Sequence, residues 1–345
     1  MRSRTIILLT LLLTGWSLGS KAQQAYGTYS FLRATNSARV AALGGLPLPV
    51  YDGDIQTSTF NPATIGEGMH NKLGLSYVDY YTDINCATVQ YARSFDHIGS
   101  FAATVQYHNY GHFDETSEGG IVMGSFSSSD YSVNIGWGRE LSPHWSIGAA
   151  FKYAGLQYER YAAGAIAADV AGMYRSDNGW IFSLNARNIG VQLFNNIDAS
   201  SRLPFSLDFG ASRKLDHLPL TIMLWYKDIQ HWNKLMMTPT YVEQHTNPLT
   251  GEVVLENGVA RFVRNLACHL VVGGELNLGK VIVLRAAFDY GQRYAMNVTQ
   301  ARTLVGFSAG VAVRIKMFEI SYSRSRSNIT VSPNYFTVTM DLNKF

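Results

Sequence analysis

The chain of 345 residues contains little charge and little cysteine. Asp, Glu, Lys and Arg make up 15% of it, whereas about 25% is usual for a soluble domain. The formal net charge of +3 includes no basic run or stripe, which argues against nucleic-acid binding. Disorder is excluded too, because disordered chains combine high charge with few aromatics, and 12% of these residues are aromatic.

The two cysteines, Cys86 and Cys268, are too few for a disulfide framework. Both fall within predicted strands, and we expect them to be small buried apolar residues. A single bridge between them is the alternative.

Long apolar runs are lacking after the N-terminus, and each span of a helical membrane protein needs about 18 apolar residues. The N-terminus itself has Arg2 and Arg4 followed by an apolar stretch over residues 5–13. This pattern predicts a signal peptide over residues 1–22, cleaved after Ala22, and hence an exported protein. The alternative, a retained membrane anchor, is disfavoured because the apolar stretch is too short to cross a bilayer.

From residue 72 onward the sequence alternates between apolar and polar residues. One example is Trp145, Ile147 and Ala149, which alternate with Ser146 and Gly148. Strict alternation predicts half-buried β-strands. The predicted strands are 72–82, 86–95, 99–108, 129–141, 143–155, 163–175, 179–188, 204–214, 218–229, 263–277, 280–290, 303–315, 316–325 and 334–345.

The connections between these segments alternate between short and long. Bacterial outer-membrane barrels share this asymmetry and an even number of strands. The faces opposite the apolar stripes carry Ser, Thr, Asn and Gly more often than charges, as a barrel lumen can. We therefore predict an all-β fold: an antiparallel transmembrane β-barrel of about 14 strands over residues 72–345, surrounded by outer-membrane lipid and lipopolysaccharide. A soluble β-sandwich is the alternative, since alternation occurs there as well.

Residues 23–71 precede the first predicted strand and are rich in turn-forming Gly and Pro. A lumen of fourteen strands must be filled by water or by protein. We predict that this segment is the plug, and that Asn61-Pro62-Ala63 turns it back into the lumen. The alternative is a periplasmic tail, which Phe31, Leu32 and Leu43 are too apolar to favour.

The alternation places nine charged side chains on inward faces of the predicted strands. A wide aqueous channel could hold them, and so could a lumen that is crossed by ion pairs and filled by the plug. The predicted lumen charges are Lys152, Asp169, Arg187, Asp208, Lys227, Glu275, Arg285, Asp289 and Arg314.

Few residues offer catalytic or metal-binding chemistry. His108, His112, Asp114 and Glu115 are close together in sequence and could bind a metal or form a His–Asp acid–base pair. A metal site, however, needs three or four ligands and a supporting second shell. No hydrolase, phosphate-loop or zinc-protease motif occurs. We therefore expect a protein that is not an enzyme and has no cofactor.

Three stretches near the N-terminus resemble those of a known family. They are Tyr29-Ser30-Phe31-Leu32-Arg33, Ser37-Ala38-Arg39-Val40-Ala41-Ala42-Leu43-Gly44-Gly45 and Asn61-Pro62-Ala63. They resemble the signature of the PorV/PorQ family, which are FadL-like outer-membrane proteins of the type IX secretion system in Bacteroidetes. Val105-Gln106-Tyr107-His108-Asn109-Tyr110-Gly111-His112-Phe113 is similar to the PorQ branch. The signature residues expected in the plug are Phe31, Leu32, Ser37, Ala38, Arg39, Leu43, Gly44, Gly45, Asn61, Pro62 and Ala63.

The resemblance implies a role without catalysis: anchoring a cell-surface attachment complex of PorZ-, PorU- and PorV-like proteins, which joins cargo to lipopolysaccharide. The predicted long loops, 109–128, 189–203 and 230–262, are where such partners would dock. Exposed aromatic and Met side chains mark partner surfaces, and residues 230–262 carry Trp232, Met236, Met237 and Tyr241. Alternatively, this loop folds over its own barrel mouth. A second functional hypothesis is a FadL-like channel for hydrophobic small molecules.

Overall fold

The computed structural model describes residues 27–196, 202–231, 245–246, 257–296, 304–326 and 331–344. The predicted signal peptide lies outside these residues, as do Trp232, Met236, Met237 and Tyr241.

Fourteen antiparallel strands close into one barrel, in which each strand pairs with its neighbours in sequence and β1 pairs with β14. The predicted fold and strand number are confirmed. The strands are β1 (Lys72–Tyr81), β2 (Ile84–Phe95), β3 (Gly99–Thr116), β4 (Val122–Ser142), β5 (Trp145–Tyr158), β6 (Tyr161–Arg175), β7 (Trp180–Asn195), β8 (Ser206–Lys214), β9 (Leu220–Tyr226), β10 (Leu270–Leu278), β11 (Ile282–Asp289), β12 (Phe307–Ile315), β13 (Phe318–Ser325) and β14 (Asn334–Asp341).

The strands are amphipathic with their apolar side outward. On β1, Leu75 and Tyr77 are 41% and 47% exposed, whereas Ser76 and Val78, which alternate with them, are buried. This is the pattern of a membrane barrel, in which large apolar side chains face lipid and the closed ring pairs the backbone groups internally. The side chains that face inward are buried because residues 27–71 fill the lumen.

The two ends of the barrel differ. The turns after β2, β4, β6, β8, β10 and β12 are short and lie at the same end as the N-terminus of β1 and the C-terminus of β14. The longer connections, after β7, β9, β11 and β13, lie at the other end. Outer-membrane barrels place short turns in the periplasm and longer loops outside the cell, so we assign the long-connection end to the outer surface.

The prediction of a loop over residues 109–128 is wrong for most of these residues. β3 and β4 continue beyond the predicted strand ends as a hairpin, and only residues 117–121 connect them. Phe113 and Phe126 stack across this hairpin with ring centroids 5.5 Å apart, and such cross-strand aromatic pairs stabilise antiparallel strands. The predicted loop at residues 156–162 is likewise a tight turn between Tyr158 and Tyr161.

Two outer connections contain helices in place of the predicted strand ends. Residues 263–269, which were predicted as strand, belong to a helix. Asn257 caps the start of this helix, since its side chain accepts from the Ala260 N–H at 2.7 Å. A second helix follows β11, where the Asp289 side chain accepts from the Gln292 N–H. None of the helices in the described part of the chain is long and apolar enough to cross a bilayer. The α-helices are α1 (Ala38–Ala42), α2 (Gly258–His269) and α3 (Tyr290–Ala295).

Candidate functional site

Residues 27–71, hereafter the plug, lie inside the barrel and contain α1 and four short 3-10 helices: Ser30–Arg33, Ile55–Thr57, Pro62–Thr64 and Glu67–Met69. Polar side chains from strands on different sides of the ring hold it. These hydrogen bonds join Ser146 to the Ala63 carbonyl (3.1 Å), Ser212 to the Pro49 carbonyl (2.5 Å), Trp225 to the Pro47 carbonyl (2.9 Å), Ser308 to the Ala42 carbonyl (3.1 Å) and Thr337 to the Ala38 N–H (2.9 Å).

The Gly44-Gly45 pair ends α1 and turns the chain. Both glycines have positive φ angles, +91° and +74°, which residues with a side chain adopt at a cost. The Gly45 N–H returns to the Val40 carbonyl at 2.8 Å and closes the helix end. Leu43 is fully buried and packs in an apolar cluster with Trp225 and other wall residues.

Asn61-Pro62-Ala63 is buried in the lumen near the short-turn end, where Ser146, the second residue of β5, donates to the Ala63 carbonyl. Asn61 accepts from the Ala63 N–H and donates to the Leu48 carbonyl at 2.9 Å, so it ties two parts of the plug together. The plug backbone lies directly on β5 here. A Cβ added to Gly148 would lie 2.2 Å from Pro62 backbone atoms, so this contact needs a glycine.

Arg39, a signature residue on α1, is the charged centre of the plug. Its side chain is 1% exposed and donates to Asp54 (2.9 Å), Asp52 (2.6 Å) and Glu275 of β10 (3.1 Å). Its backbone N–H donates to Gln56 at 2.9 Å. One guanidinium therefore joins two plug carboxylates to the barrel wall, in the planar, multidentate arrangement that arginine favours.

The network continues along the wall. Arg285 pairs with Glu275 (2.8 Å) and Glu319 (3.0 Å), and Glu319 pairs with Arg314 (2.8 Å). We call these seven residues the Arg39 network: Arg39, Asp52, Asp54, Glu275, Arg285, Arg314 and Glu319. Sequence reasoning missed three of them, Asp52, Asp54 and Glu319. The signal for Glu319 was present, because it shares the inward phase of Ser321 and Ser323 on β13.

The charge balance sets the protonation states in the plug. Burial alone would raise the pKa of Asp52, but the neighbouring Arg39 guanidinium outweighs it and lowers the pKa of Asp52 to about 2. Burial disfavours the charged form of Arg39 too, yet the surrounding carboxylates raise the pKa of Arg39 well above its usual range. Arg39 and Asp52 are thus both ionised at neutral pH.

The remaining predicted lumen charges form three further pairs along the wall. Buried Lys152 lies 2.5 Å from Asp169, and Arg187 lies 3.0 Å from Asp208. Lys227 pairs with Asp289. Charges of opposite sign are therefore matched across the wall, and the lumen is polar and filled where these residues lie.

Two polar cavities flank α1. One, of about 780 Å³, opens towards the short-turn end and is lined by Arg39, Lys72 and Glu319 among others. The second, of about 320 Å³, lies towards the outer end and is lined by Ala41, Gly44 and further residues. α1 stands between them, since Arg39 faces the first cavity and Ala41 the second.

The barrel wall, as far as the described residues form it, has a break beside β7. β7 pairs with β6 as far as Asn195, but its pairing with β8 ends at Arg187, and β8 begins only at Ser206. Within the described residues, the outer half of β7 therefore has no strand on its β8 side. The register of β6 and β7 shifts at the same level, where Asn188 adopts a φ of +58° and its N–H donates to Asp169 at 2.8 Å.

A cavity of about 640 Å³ lies against this edge. Its lining includes Ile189 and Val191, which face outward, and Leu203. It also includes Gln192, which faces inward because it pairs with the inward-facing Ala165 of β6. Leu203 is 8% exposed and belongs to an apolar cluster with Tyr29, Phe31 and Leu32 of the plug and alanines of β5 and β6. The cavity thus reaches from the lipid-facing surface to an apolar part of the plugged lumen.

The structure does not bring the candidate catalytic residues together into a site. His112 and Asp114 are exposed on the outer hairpin, opposite Ser127 and Ser125. His108 is buried and lies 3.6 Å from the Cys86 sulfur, and Cys268 is also a free thiol. Among the described residues there is no group of three His, Cys, Asp or Glu side chains that could hold a metal.

No family model matches the chain, and no curated protein matches it. Solved structures do. The Ralstonia pickettii toluene transporter TbuX matches with a TM-score of 0.50 at 12% identity, covering 88% of this chain and 96% of that one. The Pseudomonas putida toluene transporter TodX matches with a TM-score of 0.50 at 13% identity and the same coverage. A Pseudomonas aeruginosa FadL homologue aligns with a TM-score of 0.47 at 10% identity, covering 89% of this chain and 98% of that one.

At these identities the likeness concerns the fold. The closed ring of fourteen strands and the outward apolar faces define the class, a β-barrel of the outer-membrane type, and the solved neighbours show that its fold is like that of TbuX and TodX.

Proposed function

We propose that this barrel carries hydrophobic small molecules between its lumen and the membrane through the break beside β7. The supporting observation is the cavity of about 640 Å³, which is lined by Ile189, Val191 and Phe205 and backed by buried Leu203. Ligand sites are typically concave and mostly apolar, with a few polar groups. Gln192 and Asn188 supply such polar groups here.

The axial route offers an apolar solute much less. Both cavities beside α1 are lined by charged side chains, and the Arg39 network holds the plug between them. An apolar molecule gains free energy by leaving water for apolar surroundings, which charged walls do not supply. The neighbours TbuX and TodX are described as toluene transporters, so a monoaromatic hydrocarbon is a suitable first probe.

The test fills the opening from its inward side. We expect Gln192→Trp to reduce toluene uptake strongly in cells that lack other hydrophobic channels, because the indole would occupy the cavity. The matched control is Leu184→Trp on the same strand, whose side chain faces lipid outside the cavity lining and should leave uptake unchanged. Equal uptake by both variants and the unmodified protein would contradict lateral passage, provided that both variants fold as barrels.

We propose, as a second candidate, that the protein anchors a surface attachment complex of the type IX secretion system. The resemblance of the plug signature to the PorV/PorQ family supports this function. So does the hairpin of β3 and β4, whose tip exposes Ile121, Val122 and Met123 by 58–71%. Exposed apolar clusters on an outer surface are typical of protein contacts.

The anchoring hypothesis is tested by purifying the tagged protein from native outer membranes. We expect a PorZ-like partner, with PorU- and PorV-like proteins, to co-purify with the intact chain. Deletion of residues 232–256, which include Trp232, Met236, Met237 and Tyr241, should release that partner while the barrel stays folded. Retention of the partner after this deletion would argue against these residues as the docking site. If no such protein co-purifies with the intact chain, the anchoring role itself is wrong.

A further inference from the structure

Helix α2 turns its apolar side away from the protein. Val259, Phe262, Val263 and Leu266 are 40–75% exposed and follow the i, i+3, i+4, i+7 spacing of one helix face. The side that packs on the barrel is instead formed by Asn265, Cys268 and His269, which are buried. A helix that packs its polar side inward and exposes its large apolar residues needs an apolar medium around it.

The exposed stripe leads into the lipid-facing surface of the barrel. Leu270 follows Leu266 by four residues, so it continues the stripe, and it is the first residue of β10. Leu270 shares the outward phase of Val272, which is 49% exposed, and it pairs with Tyr226 of β9. The apolar face of α2 is therefore continuous with the barrel surface that contacts membrane lipid.

The strand ends beneath α2 carry an aromatic row. Tyr226, Phe288 and Phe307 lie at the outer ends of β9, β11 and β12 in outward phase, and the Phe288 and Phe307 rings are 4.6 Å apart. The His269 ring at the end of α2 lies 5.4 Å from the Tyr226 ring. Aromatic rows of this kind mark the membrane–water interface of outer-membrane barrels, so the C-terminal end of α2 lies at the level of the lipid headgroups.

The charge of α2 suits an anionic lipid surface. The helix contains Arg261 and Arg264 and no acidic residue. The Arg264 guanidinium lies 5.8 Å from the ring centroid of Tyr294 on α3, so the cationic side is held next to the barrel rim. Helices with a cationic polar side and a Phe- and Leu-containing apolar side bind in the plane of anionic membrane interfaces.

From these observations we propose that α2 is an interfacial helix, which lies on the anionic outer leaflet with Val259, Phe262, Val263 and Leu266 inserted among the lipid chains. Its apolar face would then lie about 5–10 Å into the boundary between headgroups and acyl chains. The helix would fix the depth and tilt of the β9–β12 side of the barrel and would hold the connection between β9 and β10 at the membrane surface.

The test uses the full-length protein in phosphatidylcholine–phosphatidylglycerol vesicles, with Cys86→Ser and Cys268→Ser replacing the native thiols. A polarity-sensitive fluorophore is attached to Phe262→Cys or, as a matched control on the opposite side of the helix, to Arg261→Cys. Quenching is measured with spin-labelled phosphatidylcholine and with aqueous iodide. A barrel-specific gel shift shows that each variant is folded, and Val263→Cys provides a second apolar position.

The proposal predicts that the probes on Phe262→Cys and Val263→Cys are quenched several-fold more by the spin-labelled lipid than the probe on Arg261→Cys, and several-fold less by iodide. Equal iodide quenching on both sides would overturn it, because the apolar face would then be in water. Protection from both quenchers would also overturn it, since protein would then cover the face. Repeating the measurement without residues 232–256 would identify the covering protein as this chain's own loop or a second copy.

Discussion

Arg39 is the residue on which the position of the plug depends most. Its side chain is almost fully buried and forms ion pairs with three carboxylates, two in the plug and one on β10. Removing one partner of a buried ion network leaves uncompensated charges and typically costs more than the network contributes. This position needs a guanidinium, because an ammonium lacks the planar, fixed set of donors that reaches three carboxylates at once.

We expect Arg39→Met to lower the free energy of unfolding by about 3–5 kcal/mol, with Arg39→Lys between Met and the unmodified protein. The measurement is urea unfolding in lipid vesicles followed by tryptophan fluorescence. Arg160→Met, which removes an exposed arginine from the β5–β6 turn, serves as the control and should leave the free energy of unfolding almost unchanged. An equal effect of Arg39→Met and Arg160→Met would show that the Arg39 network does not stabilise the plug.

Asp52 gives the plug a defined dependence on pH. Its pKa is about 2 in the folded protein, compared with 3.8 for a free side chain. A lowered pKa adds stability that is complete above the free value and is lost as the pH falls towards the folded value. The stability difference between the unmodified protein and Asp52→Asn should therefore be constant above about pH 4 and shrink between about pH 4 and pH 2.

Urea unfolding at each pH measures this difference, and Asp216→Asn in the exposed β8–β9 turn provides the control. A difference that persists unchanged at pH 2 would contradict the proposed pairing of Asp52 with Arg39.

At the scale of elements, the contact between the plug and β5 depends on the absence of a side chain at Gly148. A methyl group there would lie 2.2 Å from the Pro62 backbone, whereas a methyl group on Gly172 of β6 would meet nothing within 4 Å. We expect Gly148→Ala to destabilise the protein by about 1–3 kcal/mol, as other overpacked sites do. The same change at Gly172 should be almost neutral, and urea unfolding compares the two. A neutral result at Gly148 would mean that the plug does not lie on β5.

The strands could be predicted from sequence because alternation is a local signal. The alternation of Leu75 and Tyr77 with Ser76 already indicates which side faces lipid. The helix over Gly258–His269 was mistaken in part for a strand, because a short apolar run such as Leu266-Ala267-Cys268 suits either element. The hairpin of β3 and β4 was mistaken for a loop, because Ser and Gly at residues 124–129 resemble turn residues.

The site was less predictable, because its contacts join distant parts of the chain. Arg39 and Glu275 are 236 residues apart, and no local pattern relates them. The break beside β7 arises from the register shift near Asn188 and from the late start of β8. Neither feature changes the alternation of apolar and polar residues, so the sequence pattern does not indicate it. The inward phase of their strands identified Glu275 and Arg285 as lumen residues. The pairing of Glu275 with Arg39, however, depends on the path of the plug through the lumen.

At the scale of the whole molecule, the two proposed functions place different demands on one barrel. Lateral passage depends on the wall beside β7, whereas anchoring depends on the outer connections and the β3–β4 hairpin. Both require that the plug stays in the lumen, so that the membrane remains sealed. The seated plug is therefore the central claim, and hydrogen bonds around the ring from Thr104 of β3 to Thr337 of β14 support it.

Disulfide trapping in outer-membrane vesicles tests this claim most directly. The Thr59 and Thr104 hydroxyl oxygens are 3.2 Å apart, so the Thr59→Cys/Thr104→Cys pair should oxidise readily in a background with Cys86→Ser and Cys268→Ser. The Thr59→Cys/Thr337→Cys pair, which joins the same plug position to β14, should not. Mass spectrometry of unreduced peptides detects the bridge. A bridge in the first pair alone is the predicted result, and no bridge in either pair, or bridges in both, would contradict a plug seated against β3.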